Sequence, residues 1–78
     1  MYFLYILLCK DSSLYTGITT DLKRRFKEHK SGKGSRYARS RGAKKIVYTE
    51  RFKTRSAALK REFKIKKMDR EQKLALIQ

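Results

Sequence analysis

Proline is absent from this chain, cysteine and histidine occur once each, and only 7 of its 78 residues are Asp or Glu. The lone Cys9 has no partner for an internal disulfide, and one Cys with one His cannot assemble a zinc cluster. Such cysteine usage fits a reducing, cytoplasmic setting. The lack of proline, with 40% hydrophobic residues and nine aromatics (five Tyr, four Phe), argues against a disordered basic tail. Long apolar runs are missing too. The longest, residues 1–9, falls well short of the roughly 20 needed to cross a bilayer, and no basic segment precedes it as in a signal peptide. The expectation is a soluble protein with no membrane role, folded as a single domain over 1–78. Its core must be economical, because so short a chain buries only about 60% of the surface it exposes when unfolded.

Positive charge is what the chain has in excess. Lys plus Arg number 22, for a formal net charge of +15. From Thr19 to Lys67 there are 19 basic residues against four acids, so the charge belongs to the body of the fold. Self-repulsion of this size destabilises a compact state and calls for an anionic partner: nucleic acid, an anionic membrane surface or the ribosome. Nucleic acid is the favoured class. Covering about six phosphates would give log K a slope near −5 against log[salt]. Phosphate contact carries no sequence information, so charge names a partner and no chemistry.

Residues 2–9 (YFLYILLC) are apolar without alternation, which suits a strand covered on both faces. The polar stretch Lys10-Asp11-Ser12-Ser13 is a turn, and Leu14 to Ile18 returns as a second strand. Thr19, Thr20 and Asp21 are N-cap candidates for a helix over 21–30. Residues 31–45 have no sustained apolar period; they form a mobile loop or contain a short helical turn near 35–41. Lys45 to Phe52 reads as a third strand. Thr54 or Ser56 opens a helix through about Met68. Asp69 with Gln72 resembles a capping box that starts a last helix over 70–77. The fold class is α/β in the broad sense, more strictly α+β: a small three-stranded antiparallel sheet flanked by helices, in the order ββαβαα.

At 100° per residue, Arg25 and His29 border the face that Leu22 and Phe26 present to the core. On the later helix Glu62 falls within an arc shared with Ala58, Ile65, Leu59 and Phe63, while Lys60, Arg61, Lys64 and Lys67 are assigned to the opposite arc. A carboxylate facing a core is costly unless paired, hydrogen-bonded or metal-bound. A Glu62–Arg or Glu62–Tyr pair would explain it, and so would chemistry. The hairpin supplies the other groups: Tyr5 and Tyr15, ten residues apart around a turn, lie opposite or diagonal across the ladder. Gly17 opens the strand end to close approach.

The ordered set Phe3-Leu4-Tyr5, Tyr15-Thr16-Gly17, Asp21-Leu22-x-x-Arg25-x-x-x-His29 and Glu62 resembles the GIY-YIG nuclease family, most closely its small stand-alone bacterial members. The resemblance spans about residues 2–68. It implies a one-metal phosphodiesterase site. Tyr5, Tyr15 and Gly17 match the two name-giving motifs, Arg25 the helix arginine and His29 the His-or-Tyr one turn later. Glu62 matches the glutamate that holds Mg²⁺ or Mn²⁺. Phe3-Leu4 stands for Gly-Ile and Thr16 for the second Ile. Ile18 occupies a position where some family nucleases carry a Lys, removing one proton acceptor.

The implied activity is metal-dependent endonucleolytic hydrolysis of DNA, selective for structure or weakly for sequence and aided by a protein partner, in the cytoplasm and in the manner of DNA-repair nucleases. DNA is favoured over RNA. Lys33, Arg36, Tyr37, Arg39 and Arg41 look like a strand-gripping loop with one stacking aromatic. Lys60 and Lys64 either flank the nucleic-acid path or are simply solvated. The competing reading is a non-catalytic basic module for DNA or RNA that retains the fold; a ribosome-associated protein would explain the charge alone.

Overall fold

The computed structural model describes residues 1–34 and 36–78; the side chains of Tyr37 and Ala38 also lie outside the description. The elements are β1 (Tyr2–Cys9), β2 (Leu14–Thr19), α1 (Leu22–Lys30), α2 (Arg36–Arg41), β3 (Ala43–Phe52), α3 (Arg55–Lys66) and α4 (Arg70–Ile77). The expected order gains one helix, α2, which makes the second of the two readings of this segment regular structure over 36–41. β3 also begins two residues earlier than expected.

β1 is the middle strand of a three-stranded antiparallel sheet ordered β2-β1-β3. That position explains its unbroken apolar sequence, since both edges are hydrogen-bonded and both faces are covered. Tyr5, Leu7 and Cys9 pack on one face with Tyr15, Leu22, Phe26, Ala43 and Ile46. Leu4 and Ile6 pack on the other with Ile65, Val47, Tyr48, Phe52 and the α4 residues Leu76 and Ile77. A register shift between Ile6↔Tyr48 and Leu7↔Ile46 inserts Val47 as an extra residue. This bulge lets Ile46 reach one cluster while Val47 and Tyr48 serve the other.

Local chemistry sets the ends of the elements. The hairpin turn closes with Ser12 N–H donating to the Cys9 carbonyl at 2.9 Å, and Ser12 takes φ 70°. Asp11 accepts from the Ser13 hydroxyl, from the Ser13 backbone and from Arg41 Nη1 at 2.7 Å; these bonds hold its carboxyl down at about 2. Asp21 caps α1 by accepting from Arg24 N at 3.0 Å, and Thr54 caps α3 by accepting from Ala57 N at 3.2 Å. The Asp69–Gln72 capping box is present in both directions.

The apolar arc of α3 is narrower than its wheel suggests. Ala58 and Ile65 are fully buried, whereas Leu59 and Phe63 are exposed, because only one side of the helix meets the sheet. Arg61, assigned to the solvent arc, lies only about 60° from Ala58. Its guanidinium turns back to Glu50 of β3, with Nε at 3.0 Å from Oε1 and Nη2 at 3.0 Å from Oε2. Tyr48 Oη donates to the same carboxylate. This cluster ties α3 to β3. Replacing Ile65 by Ala should empty the contact between α3 and Leu4/Ile6 and cost about 3 kcal/mol, read from the urea midpoint. A loss under about 1 kcal/mol would show that α3 contributes little to the core.

Candidate functional site

The site grows from one buried hydroxyl. Tyr5 is fully buried at the centre of β1 and pairs with Gly17 of β2, while Tyr15 pairs with Leu7 two positions along. The two tyrosines are therefore diagonal neighbours on one sheet face, with ring centroids 6.3 Å apart. Gly17 makes room for the first of them: a Cβ there would stand 2.6 Å from Tyr5 Oη. The phenol lies directly over the glycine backbone.

α1 crosses the same face and supplies two partners from one helical turn. Tyr5 Oη shares a hydrogen bond of 2.8 Å with Nε2 of His29, and Arg25 Nε donates to the same oxygen at 3.3 Å. His29 is 2% exposed, and its ring also stands edge-on to Tyr15 at 5.5 Å. Gly34 presses on the other side of the imidazole, leaving no space for a Cβ against Nδ1. That close approach was not legible in the sequence, since nothing in a glycine-containing loop says which side chain it covers. Nδ1 has no hydrogen-bond partner among the described residues.

Burial decides the protonation states. Desolvation pushes the Tyr5 phenol above its usual value; Arg25 opposes this, and the charges of Tyr15 and Glu62 add to it. Desolvation and the Arg25 charge hold His29 below its usual 6.5. Both groups are neutral at pH 7. With Arg25 donating to Oη, the phenol hydrogen points to the one buried acceptor in reach, Nε2.

Arg25 joins this interior chain to solvent. Its Nη1 pairs with Glu28 Oε1 at 3.1 Å, and the residue lines an open cleft of ≈ 290 Å³ with Ile18, Thr19, Thr20, Arg24 and Arg55. Glu62 enters from α3, and its charge is felt at Tyr5. Its side chain is 17% exposed, and its ionic partner is Lys66 one turn on, at 3.5 Å. Among the described residues the ion pair of Glu62 is with Lys66 and not with an Arg, while an Arg and a Tyr, Arg61 and Tyr48, meet at Glu50. No group of three or more metal-ligating side chains exists among the described residues. A single loosely paired carboxylate suits a hydrated hard cation such as Mg²⁺, which keeps most of its waters, and does not suit zinc.

Of the basic residues, Lys33, Arg36 and Arg39 are exposed around α2, as are Lys60 and Lys64 on α3. Arg41 is tied to Asp11 of the hairpin turn. The stacking role expected for Tyr37 falls on a side chain outside the described residues.

Two tests follow from this packing. Gly17→Ala should force Tyr5 aside and cost about 1–3 kcal/mol in stability; an unchanged urea midpoint would mean that the close approach is not obligatory. Because His29 is depressed in the folded state, protonation favours the unfolded chain. Stability should be full above pH 6.5 and fall as the pH drops below it, with His29→Gln removing that slope in urea titrations at pH 7 and 5.

The family model described as the GIY-YIG catalytic domain matches residues 1–75. A UPF0213 protein of Clostridium perfringens is 52% identical over 77 residues, covering 99% of this chain and 83% of the relative. One from Haloquadratum walsbyi is 51% identical over 75 residues, covering 96% and 84%. The solution structure of a UPF0213 protein from Bacillus halodurans, 45% identical, superposes with a TM-score of 0.63 and covers 99% of this chain and 83% of the other. With a match across nearly its full length and relatives half identical to it, this chain belongs to the GIY-YIG catalytic domain family and has that family's nuclease-type fold.

Proposed function

We propose that this protein hydrolyses DNA phosphodiester bonds with the help of one Mg²⁺ or Mn²⁺ ion, as a structure-selective or weakly sequence-specific endonuclease of the cytoplasm. The observation that carries this reading is the chain Arg25 Nε–Tyr5 Oη–His29 Nε2, with the charge of the Glu62 carboxylate felt at Tyr5, on a strongly basic body. A binding module has no evident use for a buried phenol–imidazole pair tied to an arginine that lines a cleft.

Each residue has a task its environment favours. Arg25, with Nε and Nη1 engaged, still has N–H groups at Nη2 to hold a non-bridging phosphate oxygen. When substrate binding admits a water to the buried Oη, Tyr5 takes a proton from that water while its own passes to His29 Nε2. Arg25 stabilises the negative charge that develops on Oη during the transfer. The water oxygen bonds to phosphorus, and the bond to the 3′-oxygen breaks. Tyr15 packs beside both rings and keeps them oriented. Glu62 would hold the metal ion, which when bound supplies Lewis-acid stabilisation of the phosphate and of the leaving oxygen. Lys33, Arg36, Arg39, Lys60 and Lys64 hold the backbone without reading bases. These 78 residues are proposed to act as one unit, with a partner protein supplying the selectivity they lack.

Cleavage of branched, nicked and single-stranded DNA with and without Mg²⁺ is the direct test. Wild type should cut only with metal. Tyr5→Phe and Arg25→Ala should each lower the rate by about 10²-fold, and Glu62→Ala should abolish metal-dependent cutting. The rate should fall on the acid side of pH 6.5, because His29, held below its usual value by burial, must be neutral to accept the proton. Equal cutting by wild type and Glu62→Ala would overturn the proposal. Salt-sensitive binding without cleavage would instead favour the non-catalytic module.

A further inference from the structure

α3 carries a feature that the hydrolytic site does not use. Phe63 is 62% exposed, and Leu59 one turn earlier also reaches the surface. Arg55 and Glu62, seven residues apart, lie within about 20° of each other around the helix, and Phe63 lies about 100° from Glu62. Arg55 lines the same cleft as Arg25. The exposed ring therefore borders the stripe of α3 that faces the cleft.

Its surroundings are cationic. Lys67 Nζ stands 4.2 Å from the centroid of the Phe63 ring. Lys60 and Lys64 are exposed beside it, and among the described residues neither meets a carboxylate within ion-pair distance. An apolar partner helix laid on this ring would bury ammonium groups against hydrocarbon, at a high desolvation cost. A single nucleic-acid strand meets both demands, with phosphates on the lysines and a base on the aromatic face.

We infer that Phe63, backed by Lys67 and flanked by Lys60 and Lys64, is a stacking site for an unpaired nucleobase. The inference rests on the reading that this protein binds nucleic acid, and deepens it by naming what the surface beside the cleft recognises. A base inside a duplex has both faces covered by its neighbours. Only a base at a flap, gap, branch or free strand can reach the ring, so this side chain biases the protein toward substrates with an unpaired segment next to the cleft.

The chain contains no tryptophan, so Phe63→Trp installs a single indole at the site in question, excited at long wavelength apart from the five tyrosines. In metal-free buffer, a short single-stranded oligonucleotide should quench this emission to saturation. An abasic strand of equal charge, bound as judged by anisotropy, should not. Phe63→Ala should lower the ratio of single-strand to duplex affinity about tenfold, and Phe63→Trp should restore it. Quenching that is equal with the abasic strand, an unchanged affinity ratio in Phe63→Ala, or quenching by an acidic peptide alone would each overturn the inference. Metal-dependent cleavage without quenching would remove the stacking site and leave the nuclease reading intact. Quenching without any cleavage would do the reverse.

Discussion

The hydroxyl of Tyr5 is the point on which this small fold turns. It is buried at the middle of the central strand, accepts from an arginine and shares a proton with an imidazole. A buried phenol without partners would be costly, so the three residues are conditions for one another. Two glycines make the arrangement sterically available, Gly17 beneath the phenol and Gly34 against the imidazole. The sheet and α1 are thus joined by a polar contact inside an otherwise apolar layer.

The price in strain and desolvation falls on one face of the sheet, and the other face is built differently. There Leu4, Ile6 and Ile65 form an apolar seam, closed at its edge by Glu50 with Arg61 and Tyr48. Holding α3 to β3 through Arg61 fixes the rotation of the helix and, one residue later, the direction of Glu62. Charge follows the same division. The acids of the body are spent on local partners, Glu28 on Arg25, Glu50 on Arg61 and Glu62 on Lys66, and most of the remaining lysines and arginines face solvent. The resulting field draws in polyanions, while the neutral pair of Tyr5 and His29 waits in a low-dielectric interior.

Much of this was legible from the chain. An apolar run without alternation named β1 as a strand covered on both faces, and cap candidates placed three helices, the structure choosing Asp21 among Thr19, Thr20 and Asp21 and Thr54 over Ser56. The ten-residue spacing of Tyr5 and Tyr15 placed them opposite or diagonal across the ladder, and the register makes them diagonal. Other features left no local trace. α2 has too few apolar positions to show a period, so its helix and a loop read alike. Leu59 and Phe63 looked like part of a buried arc because a wheel cannot tell how wide a contact the sheet offers. Arg61 was counted with the solvated lysines, since its partner lies eleven residues away on a strand whose position under α3 is a matter of topology.

Strand edges, helix starts and the residue types of the candidate site are local properties, fixed by backbone preference and side-chain chemistry within a few positions. Which carboxylate meets which arginine, which glycine yields space to which ring, and which aromatic stays outside are settled by the packing of helices on a bulged sheet. Those outcomes depend on distances between segments far apart in the chain, and only the closed structure has them.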